Sequence, residues 1–375
     1  MTKTMKNINR NKATDIYKIK PTIIKDLTSF LAPILTTLAN KSIDAHEYPD
    51  PLKLTKVIEL YKSSDKTNPA NYRPISLLPI IAKILDTLIN NQIMHHLTKH
   101  NIISPTQYAF RPNSSTTLAL QTIIDDIKHH TERKHPILAI YIDLSKAYDT
   151  VDHDKLLHKL QHNFNFTPET TQFFKSYFQN RMQTTHTQSA QSHTRTITHG
   201  IPQGSTLSTT FFLLYINDIT KITKQSNVYT YADDTTLLVT AANTAAMETK
   251  AQHELSALIK YFHENNLVPN ASKTNFSIFY PKTKPKIQVT VKDESLKQVP
   301  SAKLLGMMIT EDMTQCNSEE NRPKTTTYHP NSQTSEQISS NKNNDSTILQ
   351  PNIPPPHCWR NSNLGYRTSP SNIPS

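Results

Sequence analysis

Apolar residues recur along the chain with two periods, and the switch between them marks out the elements. Residues 22–42, TIIKDLTSFLAPILTTLANKS, keep helical spacing despite Pro33. LTKVIELYK (54–62) reads as a strand and SSDKTNPANYRP (63–74) as a loop. The run from Ile75 to His100 predicts one long amphipathic helix, and a second helix is expected over 115–133. PILAIYIDLS (136–145) is apolar enough for a strand buried on both faces, ending at Asp143. DKLLHKLQ (154–161) then begins a helix, with Asp152 or Asp154 as its N-cap. After the turn HGIPQGS (199–205), LSTTFFLLYINDITKI (207–222) is apolar on most faces and predicts a buried helix. Two β-prone runs flank Asp233 and Asp234 in NVYTYADDTTLLV (227–239). A helix over 244–265 and strands near 275–280, 286–292 and 303–310 complete the pattern. Together these elements predict an α+β fold: a small antiparallel sheet backed by helices.

Composition changes this picture at one end. The chain has 375 residues, of which 35% are hydrophobic, a low share for a wholly globular protein. The deficit lies from Glu311 onward, where there is no Phe, no Val and eight of the 24 prolines. Residues 311–375 are therefore expected to be a disordered tail. That tail holds five Lys/Arg against six Asp/Glu, so the whole-chain charge of +11 becomes +12 on residues 1–310. A basic body suits a polyanionic partner, nucleic acid above all. Cys316 and Cys358 are the two cysteines, which excludes a zinc framework or a disulfide scaffold. No apolar run is long enough to span a membrane and no signal-peptide core opens the chain, so a soluble intracellular protein is expected.

The chemistry concentrates in carboxylates. Asp143 ends one buried strand, and Asp233 and Asp234 tip a hairpin about ninety residues later. If those strands are neighbours, three carboxylates meet at one sheet end, an unfavourable cluster unless divalent cations neutralise it. Ligands made entirely of carboxylates suit Mg²⁺, and a pair of ions would suit in-line phosphoryl transfer. An isolated Asp-Asp is more often a solvated turn.

Seven segments in order shift that balance. NYRPISLLPIIAKILDTLI (71–89), QYAFRPNSSTTLAL (107–120), AIYIDLSKAYDTVDHDKLL (139–157), HGIPQGSTLSTTFFLLYINDI (199–219), YADDTTLLV (231–239), LVPNASKTNFSIF (267–279) and KLLGMMIT (303–310) resemble the fingers and palm motifs of reverse transcriptases, specifically those of non-LTR (LINE-type) retrotransposons. The resemblance implies a right-hand polymerase fold with an N-terminal segment over 1–50 and a fingers and palm domain over 51–310. It implies RNA-directed DNA synthesis from dNTPs on an RNA template and a DNA primer, with two Mg²⁺ ions for which Mn²⁺ could substitute.

Residue by residue, Asp143, Asp233 and Asp234 match the family's metal-binding aspartates. Tyr148 matches the aromatic that packs on the sugar and excludes a 2′-hydroxyl. Gln203 and Gly204 match the dNTP-binding turn, where a missing side chain would let backbone approach the substrate. Arg73 matches the arginine that grips the triphosphate. Lys62 matches its companion lysine or is a solvated lysine. Lys273 matches the proposed proton donor to pyrophosphate, and Arg111 a template-phosphate contact or a surface-loop residue. Asp149 aligns with no metal ligand and reads as a capping or surface carboxylate.

The chain also departs from the family pattern. Thr209 replaces a usual proline, and NKATDIYKIKP (11–21) lacks the usual glycines. No helical thumb is recognisable after 310, and the tail's composition is expected to reflect a shifted reading frame. The alternative is a truncated, inactive remnant that only binds nucleic acid. Nuclear and cytoplasmic placement follows from family analogy alone.

Overall fold

A computed structural model describes residues 1–316 except 12, 63, 64, 188, 280–284, 292, 293 and 314. The tail expected to be disordered therefore lies, from 317 on, outside the described residues. Three helices open the chain, α1 (Thr2–Lys6), α2 (Pro21–Asp26) and α3 (Thr28–Asp44), before a hairpin of β1 (Leu54–Tyr61) and β2 (Tyr72–Leu77). α4 (Ile80–Lys99) and α5 (Thr116–Glu132) lead into β3 (Ile137–Ile142) and the short β4 (Leu144–Ser145). α6 (His153–His162), α7 (Pro168–Phe178), β5 (Met182–His186), β6 (Arg195–Thr196) and α8 (Thr206–Ile216) follow. Next come β7 (Asn227–Tyr231), β8 (Asp234–Thr240) and α9 (Thr244–Glu264). Short strands close the described chain: β9 (Val268–Pro269), β10 (Asn275–Phe279), β11 (Thr290–Val291), β12 (Glu294–Ser295), β13 (Lys297–Gln298), β14 (Ser301–Leu304), β15 (Met307–Thr310) and β16 (Gln315–Cys316).

The fold is α+β. Its central sheet has the order β13-β10-β3-β8-β7, antiparallel throughout except where β13 joins β10 in parallel. β3 sits in the middle, and its six residues are all buried because both faces are covered. Leu138, Ile140 and Ile142 pack into the core shared with α4, α8 and α9. Ile137, Ala139 and Tyr141 pack into a second core with Leu120, Ile123, Ile124 and Ile127 of α5. α8 is apolar all round because it is enclosed, with Phe211, Phe212 and Leu213 inaccessible to solvent. α6 starts where Asp152 accepts the Lys155 N–H, one of the two caps expected there.

Several elements differ from expectation, among them the strand expected near 286–292, of which Thr290–Val291 forms β11 and residue 292 lies outside the described residues. Residues 72–77, expected to end a loop at Pro74 and begin a helix at Ile75, form β2; Pro79 is extended (φ −49°, ψ 138°) and α4 begins only at Ile80. The hairpin β1–β2 belongs to a second sheet, β2-β1-β5-β6, in which β1 and β5 run parallel. Residues 303–310 are not one strand: β14 and β15 pair across a turn at Leu305 and Gly306. β15 pairs in turn with β16, so backbone pairing continues past the boundary expected at Thr310.

Candidate active site

β3 and β8 are antiparallel neighbours, with Ile142 opposite Thr235. The next residue in each direction is Asp143 and Asp234, so the register alone puts these two carboxylates across from one another at one sheet end. Asp233 completes the set from the two-residue loop between β7 and β8, whose last pair is Tyr231 with Asp234. Ala232, the other loop residue, takes a left-handed φ of 54°, a conformation that costs an L-residue about 1–2 kcal/mol. β3 also changes partner at Asp143. Beyond it β4 pairs with β9, and the Asp143 carbonyl accepts the Asn270 N–H at 2.8 Å.

Burial and neighbouring charge perturb two of the three carboxylates, Asp233 and Asp234. Burial pushes the Asp233 carboxyl above its ordinary pKa, and the Asp143 charge adds to this, while Arg73 and Lys62 oppose it. Burial, then Asp233, then Asp143 raise Asp234 to about 6. Arg73 and Lys62 are thus near enough to Asp233 for their charges to act on its carboxyl. Arg73 lies opposite Leu60 on the β1–β2 hairpin, and Lys62 follows directly after β1. Lys273, in the turn between β9 and β10, brings Nζ to 3.9 Å from Asp143 Oδ2. Burial, and secondarily the Asp233 charge, push the Tyr148 hydroxyl pKa up, while its ring stacks on Phe212 at 4.6 Å and 15°.

Hard carboxylate oxygens brought together at one sheet end suit a divalent cation. Among the described residues, no three acidic, histidine or cysteine side chains close into a finished metal cage.

The turn at 200–204 is fastened on two sides. Ser76 N donates to the Gln203 carbonyl at 2.8 Å, and Ile201 N to the Tyr148 carbonyl at 2.9 Å. At Gly204 (φ 143°) a Cβ would stand 2.3 Å from the Ser76 carbonyl oxygen. The close approach this glycine permits is thus to the backbone of β2, a different reason for it than the approach of a substrate. Gln203 Nε2 donates to Asp149 Oδ1 at 2.9 Å. Asp149 is exposed, the surface carboxylate the sequence allowed for, and it is paired rather than free. Its partner lies 54 positions along the chain, out of reach of any local spacing argument.

Arg111 is engaged with backbone rather than with the acids. Its Nη1 donates to the carbonyls of Ser104 (2.7 Å) and Gln107 (2.9 Å), bracing the loop that carries it. A buried cluster beneath the turn had no sequence signal. Asp86 accepts from Tyr48 (2.8 Å) and from Ser205 Oγ (2.5 Å), and Arg181 lies over the Tyr177 ring at 4.2 Å. Ser205 also caps α8, so this cluster fixes where the turn ends.

Residues 62–309, well over half of the chain, match the family model for reverse transcriptase (RNA-dependent DNA polymerase). The chain is 26% identical over 288 residues to the RNA-directed DNA polymerase from mobile element jockey of Drosophila melanogaster, covering 75% of this chain and 31% of that protein. Against the transposon BS protein of the same fly it is 25% identical over 320 residues, covering 83% and 35% respectively. It thus spans about a third of the length of these curated relatives. Among the described residues, no helix is long and apolar enough to cross a membrane. With the three aspartates gathered at one sheet end and the family model running through every segment that places them, the chain belongs to the reverse transcriptase family and is related to the polymerases of non-LTR retrotransposons.

Proposed function

We propose that the chain extends a DNA primer on an RNA template, using dNTPs and a divalent metal held by Asp143, Asp233 and Asp234. The observation that carries this reading is the convergence of those three carboxylates with the opposing cations Arg73, Lys62 and Lys273 around them. When bound, Mg²⁺ would neutralise the carboxylates and stabilise charge on the attacking and leaving oxygens. The protein's own residues bind and orient the reactants. Arg73 and Lys62 hold the triphosphate, the guanidinium through paired N–H donors. Tyr148, stiffened by Phe212, forms the wall that selects a deoxyribose. The turn at Gln203 and Gly204 supports the nucleotide from the opposite side.

In the reaction, the primer 3′-hydroxyl gives up its proton to solvent and its oxygen bonds to the α-phosphorus as the bond to the bridging oxygen breaks, and pyrophosphate leaves. In this reading Lys273, whose Nζ lies 3.9 Å from Asp143 Oδ2, gives a proton to that leaving group. Such catalysis is positioning and charge stabilisation rather than covalent chemistry. The charge of +12 on residues 1–310 supplies general affinity for both strands.

The test is extension of a DNA primer on an RNA template with Mg²⁺, for the native chain and for Asp233→Asn/Asp234→Asn. Extension that is lost in the variant sustains the proposal. Template binding that weakens with salt, without extension by the native chain, would replace it with a role in nucleic-acid binding alone.

A further inference from the structure

We infer that Asp149 is a positioning residue that holds Gln203 in the orientation its nucleotide-binding turn requires; this rests on the function proposed above. Three observations meet at this pair. Gln203 Nε2 donates to Asp149 Oδ1 at 2.9 Å. The carboxylate can only accept, so it dictates which end of the amide faces it, and Oε1 is turned away as the end left to meet a ligand. Contacts beside the pair hold the two segments that carry them together. Gly200 N donates to the Val151 carbonyl at 2.8 Å, and a Cβ on Gly200 would stand 2.8 Å from the Asp149 carbonyl oxygen. His153 Nε2 lies 2.6 Å from the Gly200 carbonyl.

An exposed hydrogen bond between two mobile side chains would hold little. Here both backbones are already locked together, so the bond has only the glutamine rotamer left to choose. The consequence reaches in two directions. Asp149 immediately follows Tyr148, and the Gln203 carbonyl is tied to Ser76 on β2, the strand that carries Arg73. The Asp149–Gln203 bond therefore joins the wall for the sugar to the strand for the triphosphate, through the one amide between them.

The experiment is single-nucleotide extension with the native chain, Asp149→Ala, Asp149→Asn, Gln203→Ala and the double variant Asp149→Ala/Gln203→Ala. Asp149→Ala is expected to raise the dNTP KM about fivefold or more, the effect of losing one charge-assisted hydrogen bond. The kcat, the melting temperature and the primer–template Kd should change much less. Asp149→Asn, whose Oδ1 still accepts, should restore most of the loss. The double variant should be no worse than Gln203→Ala alone. Multiplicative effects in the double variant, or a KM change that tracks a fall in melting temperature, would overturn the inference.

If the native chain extends no primer, the polymerase reading fails by itself, and the pairing is read instead from the Gln203 side-chain amide resonance. A signal displaced in the native chain, moved by Asp149→Ala and held by Asp149→Asn, sustains the positioning role. An amide signal indifferent to both changes overturns it.

Discussion

Lys273 Nζ stands 3.9 Å from Asp143 Oδ2, with both side chains substantially open to solvent. An exposed pair at this distance contributes at most about 1 kcal/mol to stability, so the ammonium is held near the acid without being consumed by it. Lys273→Ala should therefore leave the melting temperature within about 2 °C of native. In contrast, we expect single-nucleotide extension to slow by about tenfold or more, the scale of a lost general acid. A change in melting temperature without a change in rate would reassign Lys273 to structure.

The acid cluster makes metal-free stability depend on pH. Asp234 is raised to about 6 by burial and by its two acidic neighbours. A carboxyl whose folded pKa lies above its unfolded value favours the fold while protonated, and that support is lost as pH rises through about 6. Without divalent cations, Asp234→Asn should melt about 1–3 °C higher than native at pH 7.5. At pH 5 the gap should be about half as large, and it should close only near pH 4, where the unfolded carboxyl is protonated too. Mg²⁺ should narrow the gap at pH 7.5 by stabilising the native acids. Equal melting curves at both pH values would show that the carboxylates do not strain one another.

Gly204 and Gly306 separate two reasons for a glycine. Both have left-handed φ, 143° and 92°, but nothing lies within 4 Å of the missing Cβ at Gly306, whereas the Ser76 carbonyl fills that place at Gly204. Gly306→Ala should cost about 1 kcal/mol, through conformation alone. Gly204→Ala should cost more than about 2 kcal/mol and displace β2 with it. Denaturant titrations of the two variants make the comparison.

Tyr148 is buttressed by Phe212 at 4.6 Å. If its ring excludes the ribose hydroxyl, Tyr148→Val should raise incorporation of ribonucleotides relative to deoxynucleotides by about tenfold or more. Competition between rNTP and dNTP in a single-turnover assay reads this ratio directly. An unchanged ratio would make Tyr148 a core residue only.

Local patterns carried much of this architecture. The β7–β8 hairpin, the all-buried β3, the enclosed α8 and the Asp152 cap were legible because each follows from a period or a cap a few residues long. β2 was not, since its apolar Ile75 and Leu77 run straight into α4, and its strand character comes from pairing with β1. β5 is a polar run, Met182–His186, whose identity depends on lying parallel to β1. α7 was missed although Thr167 caps it and Pro168 opens it, a start signal that was there to be read. The same division runs through the site. Asp143, Asp233 and Asp234 announce themselves by motif. The Gln203 partner of Asp149, the duty of Gly204 against β2 and the loop-bracing contacts of Arg111 are tertiary facts.

The scarcity of glycine, four in the whole chain, has a practical side. Thirteen side-chain-bearing residues among those described turn the backbone left-handed, and five of them are asparagines, which tolerate it best. Lys18 and Lys134 are exposed and far simpler to exchange than Ala232 beside the acids. Each Lys→Gly exchange there would relieve up to about 1 kcal/mol. The protein thus holds an untapped reserve of heat tolerance in its outer turns, open to engineering without disturbing the chemistry.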